Sequence, residues 1–414
     1  MIEVVVTGIG PLVANCADRH TLWTQLRAGA SQLVLEPAPG APGEQWPVGR
    51  LQGFDADRYL ARFPRDHYAR YHREQQVCLA AMAVALDDAR LDPAACQRER
   101  VGIFDGTSRG GFDHWYERIR AEDHQPAHAL YTRRELLTGT PGQAANLAAC
   151  LLGVRGPVCT VNATCCSGAA AIGQACRELE RGDLDVAIAG GHDVALSAPM
   201  YHMYREAGLL SQERVDARRA VRPYVEHSRN AFGEGAVMLV LETRAHAARR
   251  GATPLATIDG FRLGNNGAHP LHVDARGARA SALIGDVLTR AEVPRADVGF
   301  VVGHGNGVEQ SDRSELAYLR AVFAERAPEV PLISVKPVYG HLFGASSALN
   351  VAAAILMLHH GWIVPTANAP AAAPGALDHA AGGGRRCAAP AGLAVSYGLG
   401  GHNAVTLVSA AGAA

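Results

Sequence analysis

Cys165, His304, Lys336 and His341 are the side chains whose type and setting could carry covalent chemistry. Thr164-Cys165-Cys166-Ser167-Gly168 stands where a β-rich run, Pro157 to Asn162, gives way to a run of small residues, Ser167 to Glu180. A thiol at the start of a helix faces unpaired N–H groups and the positive end of the dipole, which favour the thiolate that a nucleophilic cysteine needs. Two buried structural cysteines would give the same motif, so on its own it leaves the two readings even. Gly303-His304-Gly305-Asn306-Gly307 follows a second β-rich run, and its glycines are expected to present the imidazole at a loop tip. Lys336-Pro337-Val338-Tyr339-Gly340-His341 follows a third run and precedes a helix. Strand ends on one side of an α/β sheet are where such groups gather. Lys336 is the only lysine among 39 basic residues. A coding bias toward arginine explains the deficit but not the exception, so this position is expected to need a compact ammonium.

The elements that position these groups recur along the chain. Glu3 to Gly10 and Val298 to Gly305 both read as β-rich runs entering a glycine turn. Pro157 to Asn162 with the small-residue helix Ser167 to Glu180 is matched by Pro331 to Val335 with Gly344 to Leu358. Val186 to Asp193 is echoed by Tyr397 to Asn403. The common order predicts a duplicated α/β unit, with short apolar strands buried on both faces. Helices as small-sided as Gly168-Ala169-Ala170-Ala171 and Ala345-Ser346-Ser347-Ala348 suit a central layer between two sheets. Arg70 to Ala89 reads as an amphipathic helix, and Leu241 to Arg250 ends a strand and enters a solvated helix. Gln32 to Arg50 and Pro365 to Ala391 read as long surface connections.

Composition narrows the function. The chain has 414 residues, 48% of them hydrophobic, with 39 basic and 40 acidic side chains. That is too apolar for a disordered chain and too evenly charged for a nucleic-acid surface driven by excess positive charge. No apolar stretch approaches the ~20 residues of a membrane span, and no signal peptide is read at the start. The nine cysteines contain no C-x-x-C pair, so no metal site is expected and a reducing, cytoplasmic setting is.

Taken together these segments resemble the β-ketoacyl-acyl-carrier-protein synthases, in particular the type II elongating ketosynthases of the thiolase superfamily. The resemblance rests on the opening Val4-Val5-Val6-Thr7-Gly8-Ile9-Gly10, the Cys165 turn, Ala189-Gly190-Gly191, Arg222-Pro223-Tyr224 and Phe232-Gly233-Glu234-Gly235. The His304 loop, Lys336 to His341 and Gly398-Leu399-Gly400-Gly401 complete it over nearly the whole chain. It implies a thiolase-like duplicated five-layer αβαβα fold, with residues 1–250 carrying the nucleophile and 251–414 the two histidines. The activity it implies is decarboxylative Claisen condensation: Cys165 takes an acyl group from a carrier-protein thioester and a malonyl thioester then loses CO2 and attacks it. His304 and His341 would hold the enolate oxygen, Lys336 would add fixed positive charge, and Glu315 could hold Lys336. Backbone N–H groups of Cys165 and Leu399 would hold the acyl oxyanion. No metal or organic cofactor is implied, since phosphopantetheine arrives on the acyl carrier protein. The implied partners are that carrier and a second ketosynthase-like chain, identical or a chain-length factor, paired near Pro157 to Asn162.

The sequence departs from the family at positions that touch substrate rather than at those that do chemistry. Asn306 and Val308 stand where threonines usually meet the pantetheine arm; asparagine can still donate a hydrogen bond and valine cannot. Leu399 replaces a gating aromatic, which predicts a wider acyl entrance, and Gly400 follows it in the substrate-contacting turn. Cys166 and His402 also differ from the usual residues. These changes point to polyketide or polyene assembly rather than housekeeping fatty-acid synthesis. A coenzyme A thiolase is disfavoured, because Cys387 is followed by Ala388-Ala389-Pro390 instead of a glycine run. An acyltransferase forming a different bond on the same fold stays open, as does a chain-length-factor heterodimer; a purely non-catalytic subunit is opposed by retention of Cys165.

Overall fold

The computed structural model describes residues 2–131, 133–140, 142–224, 228–271, 273–369 and 376–412. The first half of the chain runs β1 (Val4–Leu12), α1 (Arg73–Ala89), β2 (Val101–Gly106), α2 (Gln143–Leu152), β3 (Val158–Val161), α3 (Ser167–Glu180), β4 (Val186–Asp193) and β5 (Gly235–Thr243). The second half repeats this order with β6 (Ala256–Asn265), α4 (Ala278–Arg290), β7 (Val298–Val302), α5 (Glu309–Phe323), β8 (Leu332–Ile333), α6 (Ala345–His360), β9 (Ala391–Gly398) and β10 (His402–Ala410). The strands lie in the order β8-β7-β9-β10-β6-β1-β5-β4-β2-β3, which is the same sequence of equivalents read outward from the centre. In each half the two outermost pairings are parallel and the inner ones antiparallel. The halves join where β1 meets β6 antiparallel at Val5↔Thr257 and Val6↔Ala256.

Helices α3 and α6 form the inner layer, each touching strands of both halves, while α1 and α2 cover the first half-sheet and α4 the second. The inner layer depends on small side chains. A Cβ at Gly168 would stand 2.8 Å from Ala348 Cβ and 2.9 Å from the Gly344 carbonyl. The Gly168 N–H instead donates to that carbonyl at 3.0 Å, and the Ala169 N–H to Ser347 Oγ at 2.9 Å. Strands β1, β4 and β5 are buried along their whole length, as double-sided cover requires. The duplicated, layered α/β fold read from the sequence is the fold observed.

Several details differ from the sequence reading. The structural equivalent of β1 is β6, and that of β7 is β2, so the likeness between Glu3–Gly10 and Val298–Gly305 is not a repeat. An apolar strand ending in glycine is too common a pattern to set register between halves. β4 and β9 are true equivalents, but Gly190-Gly191 lies within β4 whereas Gly400-Gly401 lies in the turn after β9. Gln32 to Arg50 is not a plain connection. It holds strands Val34–Pro37 and Gln45–Gly49, the second pairing in parallel with Phe232–Gly233. Buried Trp46, edge-on to Tyr201 and Phe232, anchors it. Helix α1 is buried on nearly all sides, Glu74 and Gln75 included. Part of the connection Pro365 to Ala391, residues 370–375, lies outside the described residues. Among the described residues no helix is long and apolar enough to cross a membrane.

Candidate active site

Cys165 sits one residue before the N-cap of α3, on a turn that carries visible strain. Thr164 has φ +51°, a left-handed conformation costly for a β-branched residue. Three bonds hold it there: Thr164 N–H to Asn162 Oδ1 (3.0 Å), Thr164 Oγ1 to the Leu399 carbonyl (2.9 Å), and Ser167 Oγ to the Thr164 carbonyl (2.6 Å). The thiol is buried, and burial pushes it up to about 11 against the pull of Lys336, of Arg109 and of the Leu399 N–H. Desolvation is the largest influence on this thiol and opposes the helix end and the nearby positive charges. Cys166 points away and donates to the Ser396 carbonyl at 3.3 Å.

His304 follows β7 and is buried, not displayed at a loop tip. Its flanking glycines make room beneath the loop. A Cβ at Gly303 would fall 2.0 Å from Glu315 Oε2, and one at Gly305 would fall 2.4 Å from the Tyr224 hydroxyl. Glu315 accepts the His304 N–H (2.8 Å) and the Gly305 N–H (2.6 Å), so it fixes the loop itself. Lys336, 1% exposed, donates through Nζ to the His304 carbonyl and lies 3.5 Å from His304 Nδ1. No ion pair joins Lys336 to Glu315; the carboxylate and the ammonium grip the same residue from two sides. Burial pulls Lys336 down and pushes Glu315 up, each resisted by the other's charge.

The hydrogen bonds assign the proton of the His341 ring. His341 Nδ1 accepts the Phe343 N–H at 2.9 Å and lies 2.8 Å from Ser346 Oγ, which leaves hydrogen on Nε2. His304 meets a donor at each ring nitrogen, the Tyr397 N–H 3.3 Å from Nδ1 and the Asn306 NH2 3.3 Å from Nε2, so its contacts do not fix its tautomer. The rings are 5.4 Å apart and nearly perpendicular. Burial holds both well below the usual imidazole value, aided by Lys336 in each case, by His341 for His304, and by Arg109 for His341. Both are neutral N–H donors at working pH. The His341 segment is itself sewn to the small sheet, through His341 N–H to the Ala231 carbonyl (2.7 Å) and Gly233 N–H to the His341 carbonyl (3.0 Å).

Cys165, His304 and His341 line one cavity, together with Asn306, Val308, Leu399 and Gly400. Asn306 turns its carbonyl inward, where it accepts the Val308 N–H (3.0 Å) and the Ser311 hydroxyl (2.7 Å), so its NH2 is left beside His304 Nε2 at 3.3 Å. Leu399 is partly buried against the aromatic cluster that contains Tyr204, Phe232 and Phe343. Sequence reasoning missed Ser346, which orients His341, and Asn350, whose amide binds the Gly303 carbonyl at 3.0 Å and Ser396 Oγ at 3.1 Å beneath the His304 loop. It also missed Asp193, which accepts from Thr107 Oγ1 and from the N–H groups of Ser108, Arg109 and Gly344. The signal for Asp193 was the buried Gly-Gly-His-Asp strand end, read only as a repeat.

A second cluster lies behind Asp193. Cys78, Asp105 and His192 offer ligand atoms within 4.8 Å of one another. Both His192 nitrogens are already taken, Nδ1 by Asp105 at 2.8 Å and Nε2 by Glu74 at 2.6 Å, so the group is a buried charge network. Burial opposes its charge, but Asp105 and Cys78 lift His192 well above its usual value. A raised folded value contributes stability that is full below the unfolded value of about 6.5 and is lost as pH climbs through the folded one. His192→Asn is expected to cost about 3–5 kcal/mol at pH 6, with the gap to wild type narrowing toward pH 9. Denaturant midpoints across that range check it, and a gap that widens with pH contradicts it.

A buried thiol on a strained strand-to-helix turn, sharing one cavity with two neutral imidazoles, is an arrangement suited to acyl transfer. The sequence pattern of the Beta-ketoacyl synthase, N-terminal domain matches residues 1–247, and that of the Beta-ketoacyl synthase, C-terminal domain matches residues 255–370. The chain belongs to the β-ketoacyl synthase family and is a condensing enzyme of the type II, thiolase-superfamily kind. It is 30% identical over 374 residues to the tetracenomycin polyketide synthase ketoacyl synthase alpha subunit of Streptomyces glaucescens, covering 88% of this chain and 87% of that one. The ishigamide ketosynthase/chain length factor structure matches with a TM-score of 0.90 at 25% identity, over 99% of this chain and 100% of that one. The same fold, at a TM-score of 0.89, 23% identity and the same coverage, is seen in a type II PKS acyl-carrier protein in complex with its ketosynthase bound to the hexaketide.

Proposed function

We propose that the chain extends an acyl group held on Cys165 with a malonyl unit, in polyketide or polyene assembly. The Cys165 sulfur attacks the acyl thioester, the pantetheine thiol leaves with a proton, and the acyl-enzyme forms. The malonyl C–C bond to the carboxylate then breaks, CO2 departs, and the electron pair becomes an enolate. The enolate carbon attacks the acyl-enzyme carbonyl and the Cys165 sulfur leaves, taking up a proton. His304 and His341 hold the enolate oxygen through ring N–H groups, which is where negative charge grows. Lys336 keeps His304 neutral and its loop in place, and Glu315 fixes that loop from below. Backbone N–H groups of Cys165 and Leu399 hold the acyl oxyanion, and Asn306, Val308 and Gly400 border the pantetheine arm. The observation that supports this reading is the single cavity lined by Cys165, His304 and His341, in which burial holds both imidazoles neutral.

The test is incubation with malonyl carrier protein and a panel of acyl carrier proteins, read by mass spectrometry. A β-ketoacyl product two carbons longer supports the proposal, and acylation followed by any other bond type contradicts it. The panel also tests Leu399 as a gate. Leu399→Phe is expected to slow the longest and most branched acyl groups about tenfold while sparing short ones, and an unchanged profile removes the gate.

The partners proposed are an acyl carrier protein and a second ketosynthase-like chain, the same or a chain-length factor. The edge strand β3 supports the latter, since its residues are mostly half-exposed and, among the described residues, no strand pairs with its outer edge. Light scattering should give the mass of two chains, and a single-chain mass contradicts pairing. Residues 1–250 and 251–414 are proposed as the two domains, supported by the strand repeat. Nine free thiols support a cytoplasmic setting.

A further inference from the structure

Arg109 has no role in the reaction described above, yet it stands directly behind Tyr204, a residue of the cavity wall. Its backbone is clamped at the end of β2, where its N–H donates to Asp193 Oδ1 at 2.8 Å. From there the side chain runs to the aromatic cluster beside Cys165. Nη2 donates to the Tyr204 hydroxyl at 2.6 Å, and the guanidinium carbon lies 5.7 Å from the Tyr204 ring centre and 5.9 Å from that of Phe343. Tyr204 lines the same cavity as Cys165, His304 and His341, and Phe343 is the residue whose N–H holds His341. Among the described residues no carboxylate pairs with this guanidinium, and its Nε is buried without an acceptor. Its charge reaches the reacting groups, since it favours the Cys165 thiolate and disfavours a protonated His341.

A guanidinium with one neutral partner and an orphan N–H is poorly matched to a plain alkyl chain. Packing methylenes against it would strip its water and return no acceptor. We propose that Arg109 and Tyr204 form a polar subsite for an acyl group that carries an oxygen acceptor, a carbonyl, hydroxyl or carboxylate; the proposal rests on the ketosynthase reading of Cys165. The malonyl carboxylate offers the same chemistry, but it is the weaker occupant. A guanidinium on that carboxylate stabilises charge that has to move to the enolate, so it favours the ground state over the transition state. The oxygen bound is that of the acyl group received by Cys165.

The experiment measures initial rates of Cys165 acylation by intact-mass spectrometry, using the full chain and carrier-protein thioesters of matched length: hexanoyl, 3-oxohexanoyl, 5-oxohexanoyl and adipoyl. Wild type is expected to take at least one oxygen-bearing donor about tenfold or more faster than hexanoyl. Arg109→Leu is expected to bring that ratio to one or below by slowing the oxygenated donor and not hexanoyl, and Tyr204→Phe to act in the same direction more weakly. If Arg109→Leu does not fold, Arg109→Gln serves in its place. A wild-type preference for hexanoyl, or a ratio untouched by the Arg109 variants, overturns the subsite while leaving the ketosynthase reading standing. A variant that keeps the ratio but slows malonyl decarboxylation moves Arg109 to the extender and also overturns it. Acylation by no donor at all overturns the ketosynthase reading and the subsite with it.

Discussion

Cys165→Ala is expected to abolish covalent loading and to lower condensation by at least about 10⁴-fold, as loss of a sole nucleophile does. No neighbouring sulfur can stand in. Cys166 is fully buried and committed to the Ser396 carbonyl, and Cys176 lies within α3 with its thiol pushed well up by burial. The fold should survive, because the turn is held by Thr164, Ser167 and Asn162 rather than by the sulfur. Intact-mass spectrometry after exposure to acyl carrier protein gives the answer directly. An acyl adduct on the variant would place the nucleophile elsewhere. Circular dichroism matching wild type excludes unfolding as the cause of the loss. Malonyl decarboxylation without condensation should persist at some level, because the imidazole pair does not depend on the thiol for its protonation.

What the sequence made legible follows from how local each signal was. The pairing of β3–α3 with β8–α6 was readable because a short strand, a turn and a small-residue helix form one contiguous pattern, and the packing of Gly168 against Ala348 shows why the small residues are needed. The false match of β1 with β7 came from a pattern with no long-range content. The glycines around His304 were seen, but their reason was not. They read as exposure, whereas they clear space for Glu315 and Tyr224, which no count along the chain could place there. Lys336 was legible by rarity, while its partner was not: the ammonium lies on the His304 carbonyl, and Glu315 grips the adjoining N–H groups instead of pairing with it. The desolvation of Cys165 was hidden for the same reason. Helix-end electrostatics can be inferred from a turn motif, but burial is a property of the assembled layers, and here it decides the sign.

His341→Ala is the second large effect, and it separates the two half-reactions. Acyl loading needs Cys165 and its backbone donors, so the variant should load within about threefold of wild type, uniform binding being little changed. Condensation should fall by about 10²–10³-fold, the usual cost of losing one donor to a developing oxyanion. His341→Asn, which keeps an N–H donor, is expected to recover part of that loss, and a merely structural role for His341 predicts no such difference between alanine and asparagine. The pH profile supplies an independent check. Both imidazoles are held well below their ordinary value, so their neutral donor forms persist as pH falls through 6.5. Wild-type condensation should therefore stay level from pH 8 down to about 6, with any acid limb lying below the ordinary imidazole range. Lys336 is a shared cause of both depressions, so Lys336→Met should move that limb upward even where the variant retains measurable rate. A wild-type rate that halves at the ordinary imidazole value of about 6.5 would mean that the rings work as exchangeable acid–base groups, and the fixed-donor account of His304 and His341 would be wrong.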